Sequence, residues 1–379
     1  MSKADEFENA IAGQYLKGDL GEIAKFLDDK GIDLSVVGKA RLYQQGYKDE
    51  DGEGQVQDLF SVELAPAWAD GPQWPVVQPA KPVKVARVKA RKLDAGVETV
   101  LFLPDAQCGF FRTESGELIP THDPQAMQLT VQVAAYVRPH RIVLLGDNAD
   151  LPEWSLKFAR TPTMAATTNE TIGTLYEWMS QLRAVCPEAK IDWIEGNHEA
   201  RLPKLLAANA AAAFGVRQAN EKWPVLSMPF LCRLDELDIG WVPGYPAGAL
   251  WMRDDIKAIH GKRLSAQRAS KDPLVASQFF GHLHRLEVQS RTHTISRNEY
   301  RKTLHVSCGT LARIDGAVPS FGSGVDDSGL PVTGNDAEDW VQSVVIAEFE
   351  REGHEPPSIE LVPFSNGTCR LRGTTLSVA

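Results

Sequence analysis

From Glu98 onward, short apolar runs alternate with longer segments in which apolar residues recur every three or four positions. Val100–Leu103, Arg141–Leu145 and Ile191–Ile194 read as buried strands. Between them, Asp123-Pro124 supplies an N-cap followed by proline at the first helical position and predicts a helix to about Val137. Thr168–Val185 places Ile172, Leu175, Tyr176, Met179 and Leu182 on one helical face. The alanine-rich stretch Ala200–Phe214 reads as a helix interrupted at Pro203. Strand signals then follow without helices, near Ile239 and Leu250 and over Ile256–Ile259, Gln278–Phe280, Leu286–Ile295, Leu304–Ser307 and Val341–Phe349. This order predicts an α/β domain over residues 96–352. Asp315–Asp339, rich in Gly, Asp and Ser, is expected to be a long loop and a candidate lid. Residues 353–379 read as a turn-rich C-terminal tail.

Upstream the pattern changes. Phe7, Ile11 and Tyr15, then Ile23, Phe26 and Leu27, fit helical faces; Gly31–Ser35 breaks the pattern, and Val36–Tyr43 resumes it. Residues 1–62 are therefore expected to be a small helical domain with a helix-turn-helix outline. The acidic character of the segment favours docking over DNA binding. Residues 63–95 read as a linker: Pro66, Pro72, Pro75, Pro79 and Pro82 come first, then Lys81, Lys84, Arg87, Lys89, Arg91 and Lys92. The basic run could track a phosphate backbone, or could be the solvated face of an edge strand.

At 379 residues with 43% hydrophobic composition, the chain is long enough for a large core with an appendage. A net charge of -10 argues against coating nucleic acid by bulk electrostatics, but not against a local basic groove. Five scattered cysteines without a C-x-x-C pair fit reduced thiols better than a disulfide framework. The first residues lack a basic region followed by an apolar one, and no stretch is apolar enough to span a bilayer. A cytoplasmic protein without a membrane partner is expected.

The chemistry lies in five segments, each just after a predicted strand: Asp105-Ala106-Gln107, Gly146–Asp150, Gly196-Asn197-His198-Glu199, His260-Gly261 and Gly281-His282-Leu283-His284. All offer hard oxygen or imidazole donors suited to divalent metals. Open α/β sheets bind ligands beyond the carboxyl ends of their strands, so segments far apart in sequence can converge. On an extended segment His282 and His284 point the same way. The ordered set resembles the calcineurin-like metallophosphoesterase superfamily, with the pattern D-x-H, GD-x-x-D, GNH-D/E, a lone H and GH-x-H. The match runs from Asp105 to His284 and departs at Gln107, where the family has His.

The resemblance implies two packed mixed β-sheets flanked by helices, and two divalent ions. Mn²⁺ is expected first, with Mg²⁺, Fe or Zn²⁺ as alternatives. It assigns one ion to Asp105, Gln107, Asp147 and His284, and the other to Asp147, Asn197, His260 and His282, with Asp147 bridging. Two divalent ions against the carboxylates of Asp105 and Asp147 leave the site at about +2, and a bridging hydroxide lowers this to about +1. That charge suits a phosphoester. His198 is implied to protonate the leaving oxygen or to stabilise charge on the phosphoryl group. Asp150 and Glu199 are expected to orient their neighbours, and Arg201 either to hold phosphate or to sit on a helix surface.

Other residues carry blander readings. Asp105, Asp147 and Asn197 could be strand-end turn formers. His122, His140, His293, His305 and His354 match no motif and read as structural or exposed. Lys262, Arg263 and Arg285 flank the segments and could line a pocket. Trp154 and Tyr176 could stack on a nucleobase, with core packing the default. The helical head, the linker and the Ala312–Gln342 loop resemble phage-encoded members, which would place the protein in the host cytoplasm. The expected activity is hydrolysis of phosphodiester bonds in a nucleotide or nucleic acid. A phosphomonoesterase or protein phosphatase is the alternative, or a DNA-tethered binding protein with a structural or silenced metal site.

Overall fold

The computed structural model describes residues 96–378 except 114, 158–161, 263–264, 320–324, 327, 329 and 331–338. Before these it describes 27–29, 31 and the backbone of two strands. The chain forms two compact units, Met1–Gln78 and Pro79–Ala379.

In the first unit, β1 (Val37–Lys48) pairs antiparallel with β2 (Gly54–Leu64), with Leu42 opposite Phe60 and Gln45 opposite Gln57. The helix expected over Val36–Tyr43 is therefore a strand, and the helix-turn-helix outline does not hold there. The partner strand explains the difference. Val56, Phe60, Val62 and Leu64 recur at even positions, a period-two pattern that favours pairing over the weak helical preference of the segment before it. Leu27–Asp29 are helical. The rest of the first expected helix lies outside the described residues, as do the linker and its basic run up to residue 95.

The second unit is a mixed α/β domain with few helices. Its larger sheet has eight strands in the order β17-β16-β15-β14-β3-β6-β7-β8. They are β3 (Val97–Leu103), β6 (Arg141–Leu144), β7 (Lys190–Ile194), β8 (Ile239–Val242), β14 (Ser343–Glu350), β15 (Ser358–Ser365), β16 (Thr368–Leu371) and β17 (Thr374–Ser377). The smaller sheet runs β12-β13-β11-β10-β9: β9 (Ala249–Arg253), β10 (Ile256–Ile259), β11 (Ser277–Phe280), β12 (Leu286–Ser296) and β13 (Glu299–Cys308). A short hairpin, β4 (Phe110–Arg112) with β5 (Leu118–Pro120), stands apart.

Period-two alternation decides how the layers stack. Val100, Phe102, Val143, Leu145, Ile194, Val345 and Ala347 of the large sheet share one core with Ile256, Ala258, Phe279 and Val306 of the small one. Phe102 and Phe279 stack across it with ring centroids 4.2 Å apart, an arrangement worth about 0.5–1.5 kcal/mol beyond area burial. The intervening residues Leu101, Leu103, Ile142, Leu144, Ile191, Trp193 and Ile346 face the opposite way. There they meet helices α1 (Pro124–Val137) and α2 (Thr168–Val185). Asp123 caps α1 as expected, its Oδ1 accepting from the backbone N–H groups of Gln125 and Ala126 at 2.9 and 3.0 Å. The face expected on α2 is the one that packs, and it also contains Trp178, whose Nε1 donates to Met127 O and Thr130 Oγ1.

Two expectations change. Helix α3 (Arg201–Asn209) runs through Pro203 without a break, because a proline in the first turn removes an N–H that has no helical partner. A 3-10 turn then takes Ala211–Ala213. Residues 353–379 are not a tail: β15, β16 and β17 extend the large sheet. Two-residue turns at Asn366-Gly367 and Arg372-Gly373 join them, all four residues having positive φ. The two remaining helices are single turns, α4 (Met228–Leu231) and α5 (Ala266–Ala269). The expected lid loop lies mostly outside the described residues. Among those described, no helix is long and apolar enough to cross a membrane.

Candidate metal centre

Parallel pairing aligns the carboxyl ends that carry the five segments. β3, β6 and β7 are parallel neighbours in one sheet and release Asp105, Asp147 and Asn197. β10 and β11 are parallel neighbours in the other and release His260 and His282. Both sheets share the core beneath, so the five ends meet along one seam.

The backbone there is unusual. Asp105, Gln107, Asp147, His282 and His284 all have φ between 40 and 69°, a region that bulky residues avoid and that clusters at functional sites. Two glycines permit the closeness. A Cβ on Gly196 would overlap the Asp147 carboxylate, and one on Gly281 would overlap the Asp105 carboxylate. Glu199 clamps the turn after β6. Its Oε2 accepts from the N–H groups of Asp147 and Gly196 at 2.9 Å, and its Oε1 from those of Asn148 and Ala149 at 2.8 and 3.1 Å. Burial, and then the charge of Asp147, push the Glu199 carboxyl up to about 7.

His260 is the hub. Its Nδ1 lies 2.8 Å from Leu145 O, so the ring donates its proton there and its Nε2 carries a lone pair. That Nε2 is 3.2 Å from Asp147 Oδ2, 3.2 Å from Asn197 Oδ1 and 3.2 Å from His282 Nδ1. Two imidazole nitrogens, a carboxylate oxygen and an amide oxygen thus face one another in a largely buried place, which favours positive charge among them. In the protein alone a second proton on His260 would supply it. Burial, the largest single influence, opposes that proton, yet the Asp147 carboxylate together with Asp105 and Glu199 outweighs it and raises the ring to about 10. Burial and then the charge of His260 lower His282 to about 4. A divalent cation would serve all four donors at once, and the residues fit one. Asp147, His260 and His282 each present a donor atom within 4.8 Å of the others.

A second donor set adjoins the first. Asp105 is fully buried, its carboxylate accepting from the N–H of His282 at 2.9 and 3.0 Å and lying 3.3 Å from His284 Nε2. Gln107 donates its backbone N–H to Asp147 O at 2.9 Å, and its side-chain Oε1 is buried without a hydrogen-bond partner. Such an oxygen is costly to bury unless something binds it. The His284 ring packs on Trp340 with centroids 3.9 Å apart.

His198 stands beside the hub and is buried. Its backbone N–H donates to Asp147 Oδ1 at 2.8 Å, and its Nε2 lies 3.6 Å from Asp147 Oδ2. Arg201 Nη2 is 2.8 Å from the same Nε2. A guanidinium can only donate, so the ring proton sits on Nδ1, 3.0 Å from Asp150 Oδ1. Arg201 also donates to the carbonyl oxygen of Asp150. The Asp147 carboxyl is held far below its ordinary range: burial alone would raise it, but the neighbouring His198 and His260, through charge and hydrogen bonds, outweigh burial.

No protein-family model matches the chain, and no curated protein matches it. Among solved structures, the phosphoesterase Yfce from E. coli matches 70% of this chain and 98% of its own length, at 12% identity and a TM-score of 0.27. So slight a likeness carries no argument for fold or function, and nothing in the comparisons supports the likeness to phage-encoded members.

A cleft of about 410 Å³ opens beside the hub, with half-buried Asn197 and His282 in its wall. Trp154, Lys157, Arg201, Lys204, Tyr245 and Lys262 also line it. Lys262 was a candidate on sequence. Trp154, expected in the core by default with nucleobase stacking as the alternative, packs against the core and also lines this cleft; Lys157, Lys204 and Tyr245 lie in no motif. Of the other flanking cations, Arg285 pairs with exposed Asp339 at 2.6 Å, and Arg263 lies outside the described residues. Tyr176 packs against the core. His122, His140, His293 and His305 are held by local hydrogen bonds, and His354 is exposed.

Proposed function

We propose that this protein is a phosphoesterase dependent on two divalent ions, acting on phosphodiester bonds of a nucleotide or nucleic acid. The observation that carries the reading is the hub, where a carboxylate oxygen, an amide oxygen and an imidazole nitrogen surround Nε2 of His260 at 3.2 Å. Asp147, Asn197, His260 and His282 would hold one ion, and Asp105, Gln107 and His284, sharing Asp147, the other. Ions there would polarise the phosphoryl oxygens and lower the pKa of a bound water.

The chain's own residues have separable tasks. Glu199 fixes the turn that aims Asp147. Asp150, with Oδ1 at 3.0 Å, would favour a proton on His198 Nδ1. Arg201 holds His198 Nε2, so this bond must break before Nε2 can carry a proton to a leaving oxygen. A phosphoryl oxygen is the natural new partner for the guanidinium. Substrate entry would thereby free Nε2 to take up the proton that it must then pass to the leaving oxygen.

The test is hydrolysis of bis-p-nitrophenyl phosphate and p-nitrophenyl phosphate, with added Mn²⁺ and with chelator. Faster turnover of the diester, abolished by chelator, is expected. Preference for the monoester would turn the reading to a phosphomonoesterase. Activity on neither would leave the binding protein with a silent metal site.

A further inference from the structure

The metal centre does not account for the cleft next to it. On the reading above, two ions, Asp105, Asp147 and a bridging hydroxide leave about +1, which one phosphodiester already neutralises. The cleft nevertheless adds Lys157, Lys204 and Lys262, and no acidic residue lines it. Among the described residues, none of these three ammonium groups is paired with a carboxylate, unlike Arg201, which is engaged with Asp150. Cations that line one cleft without counter-charges make its potential positive and favour an anion there.

Two aromatic rings stand among these lysines. Trp154 is half-buried, and its Nε1 donates to Thr168 Oγ1 at 2.8 Å, which fixes the ring at the cleft wall. Tyr245 packs edgewise with His260, centroids 5.6 Å apart, and has Lys204 Nζ 5.5 Å from its ring centre. Its backbone N–H is anchored on Glu195 Oε2 at 3.0 Å. Oriented aromatics interleaved with cations form the standard platform for single-stranded nucleic acid. A volume near 410 Å³ suits one small-ligand unit.

We infer that this cleft is a subsite for the nucleotide adjoining the scissile bond, with Trp154 and Tyr245 stacking its base and Lys157, Lys204 and Lys262 holding its phosphate. The inference rests on the phosphoesterase reading for its orientation. It goes further in specifying single-stranded oligonucleotides with at least two phosphates. A cyclic or isolated mononucleotide diester would leave the lysines unmatched.

The experiment compares the thymidine dinucleotide TpT, with one phosphate, and the trinucleotide TpTpT, with two. Hydrolysis is measured with Mn²⁺, and equilibrium binding is measured to the metal-free full chain. The wild type should favour the trinucleotide in kcat/KM by about 10–100-fold, the worth of one charge-assisted contact, well above the twofold expected from its two bonds. Lys204→Ala/Lys262→Ala should erase most of this preference, and Trp154→Ala should weaken binding of both oligonucleotides about tenfold. A wild type that hydrolyses both at equal rates per bond and binds both equally overturns the subsite while leaving the phosphoesterase standing. Failure to hydrolyse any phosphoester, with tighter trinucleotide binding retained, removes the phosphoesterase and keeps the subsite. The wild-type ratio needs no variant, so a misfolded variant does not blunt the test.

Discussion

On the proposed function the two donor sets would share Asp147, but they differ in quality. Around His260, a second imidazole, a carboxylate and an amide each lie 3.2 Å from its Nε2, on a ring locked by Leu145 O. The set around Asp105 has one imidazole, one carboxylate of its own and the amide of Gln107, whose oxygen has no protein partner. Imidazole is the better ligand for late divalent metals, whereas a neutral amide oxygen is a weak hard donor. The difference implies one tight ion and one exchangeable ion, the latter favouring Mn²⁺ or Mg²⁺.

Removing the shared carboxylate should erase the contrast altogether. Asp147→Asn should release both ions and lower the rate about 10³-fold or more, since several kcal/mol of charge stabilisation disappear at about 1.4 kcal/mol per decade. Elemental analysis showing two retained ions would sink the bridging role. Next in size, His198→Ala should keep both ions and lose roughly 10²–10⁴ in kcat. If that variant arrives short of metal, His198 is a ligand and the acid must be sought elsewhere. Gln107→His should equalise the two sets, tightening the weaker one by about 10–100-fold and reducing the dependence on added Mn²⁺. Equal Mn²⁺ affinity before and after the change would mean that Gln107 does not set the strength of its site. The smallest effect belongs to the first compact unit. A chain beginning at Pro79 should turn over a small chromogenic diester at the full-length rate, and loss of that activity would make residues 1–78 part of the pocket.

How much of this was legible depends on the range of the interactions involved. Strands such as Val97–Leu103 and Lys190–Ile194 are buried on both faces, so continuous apolar runs announce them, and the motif residues follow at once. Helix α1 announced itself through Asp123-Pro124. The failures came where a partner strand decides. β1 took strand form from its pairing with β2, which overrides local propensity. β15–β17 were readable from Asn366-Gly367, a two-residue hairpin signal, but the strands on either side are short. The tasks of Glu199 and Arg201 depend on which backbone groups the fold brings near them, and motif spacing does not encode that. Trp154 and Tyr245 lie 91 residues apart, and only the folded chain shows them lining one cleft.

The central claim is two ions held unequally around one carboxylate. Calorimetric titration of the metal-free full-length protein with Mn²⁺, followed in parallel by the rate of diester hydrolysis, tests it most directly. Two equivalents should bind in two resolved phases, with activity rising only in the second, weaker one. A single equivalent, or full activity after the first phase, would contradict the account.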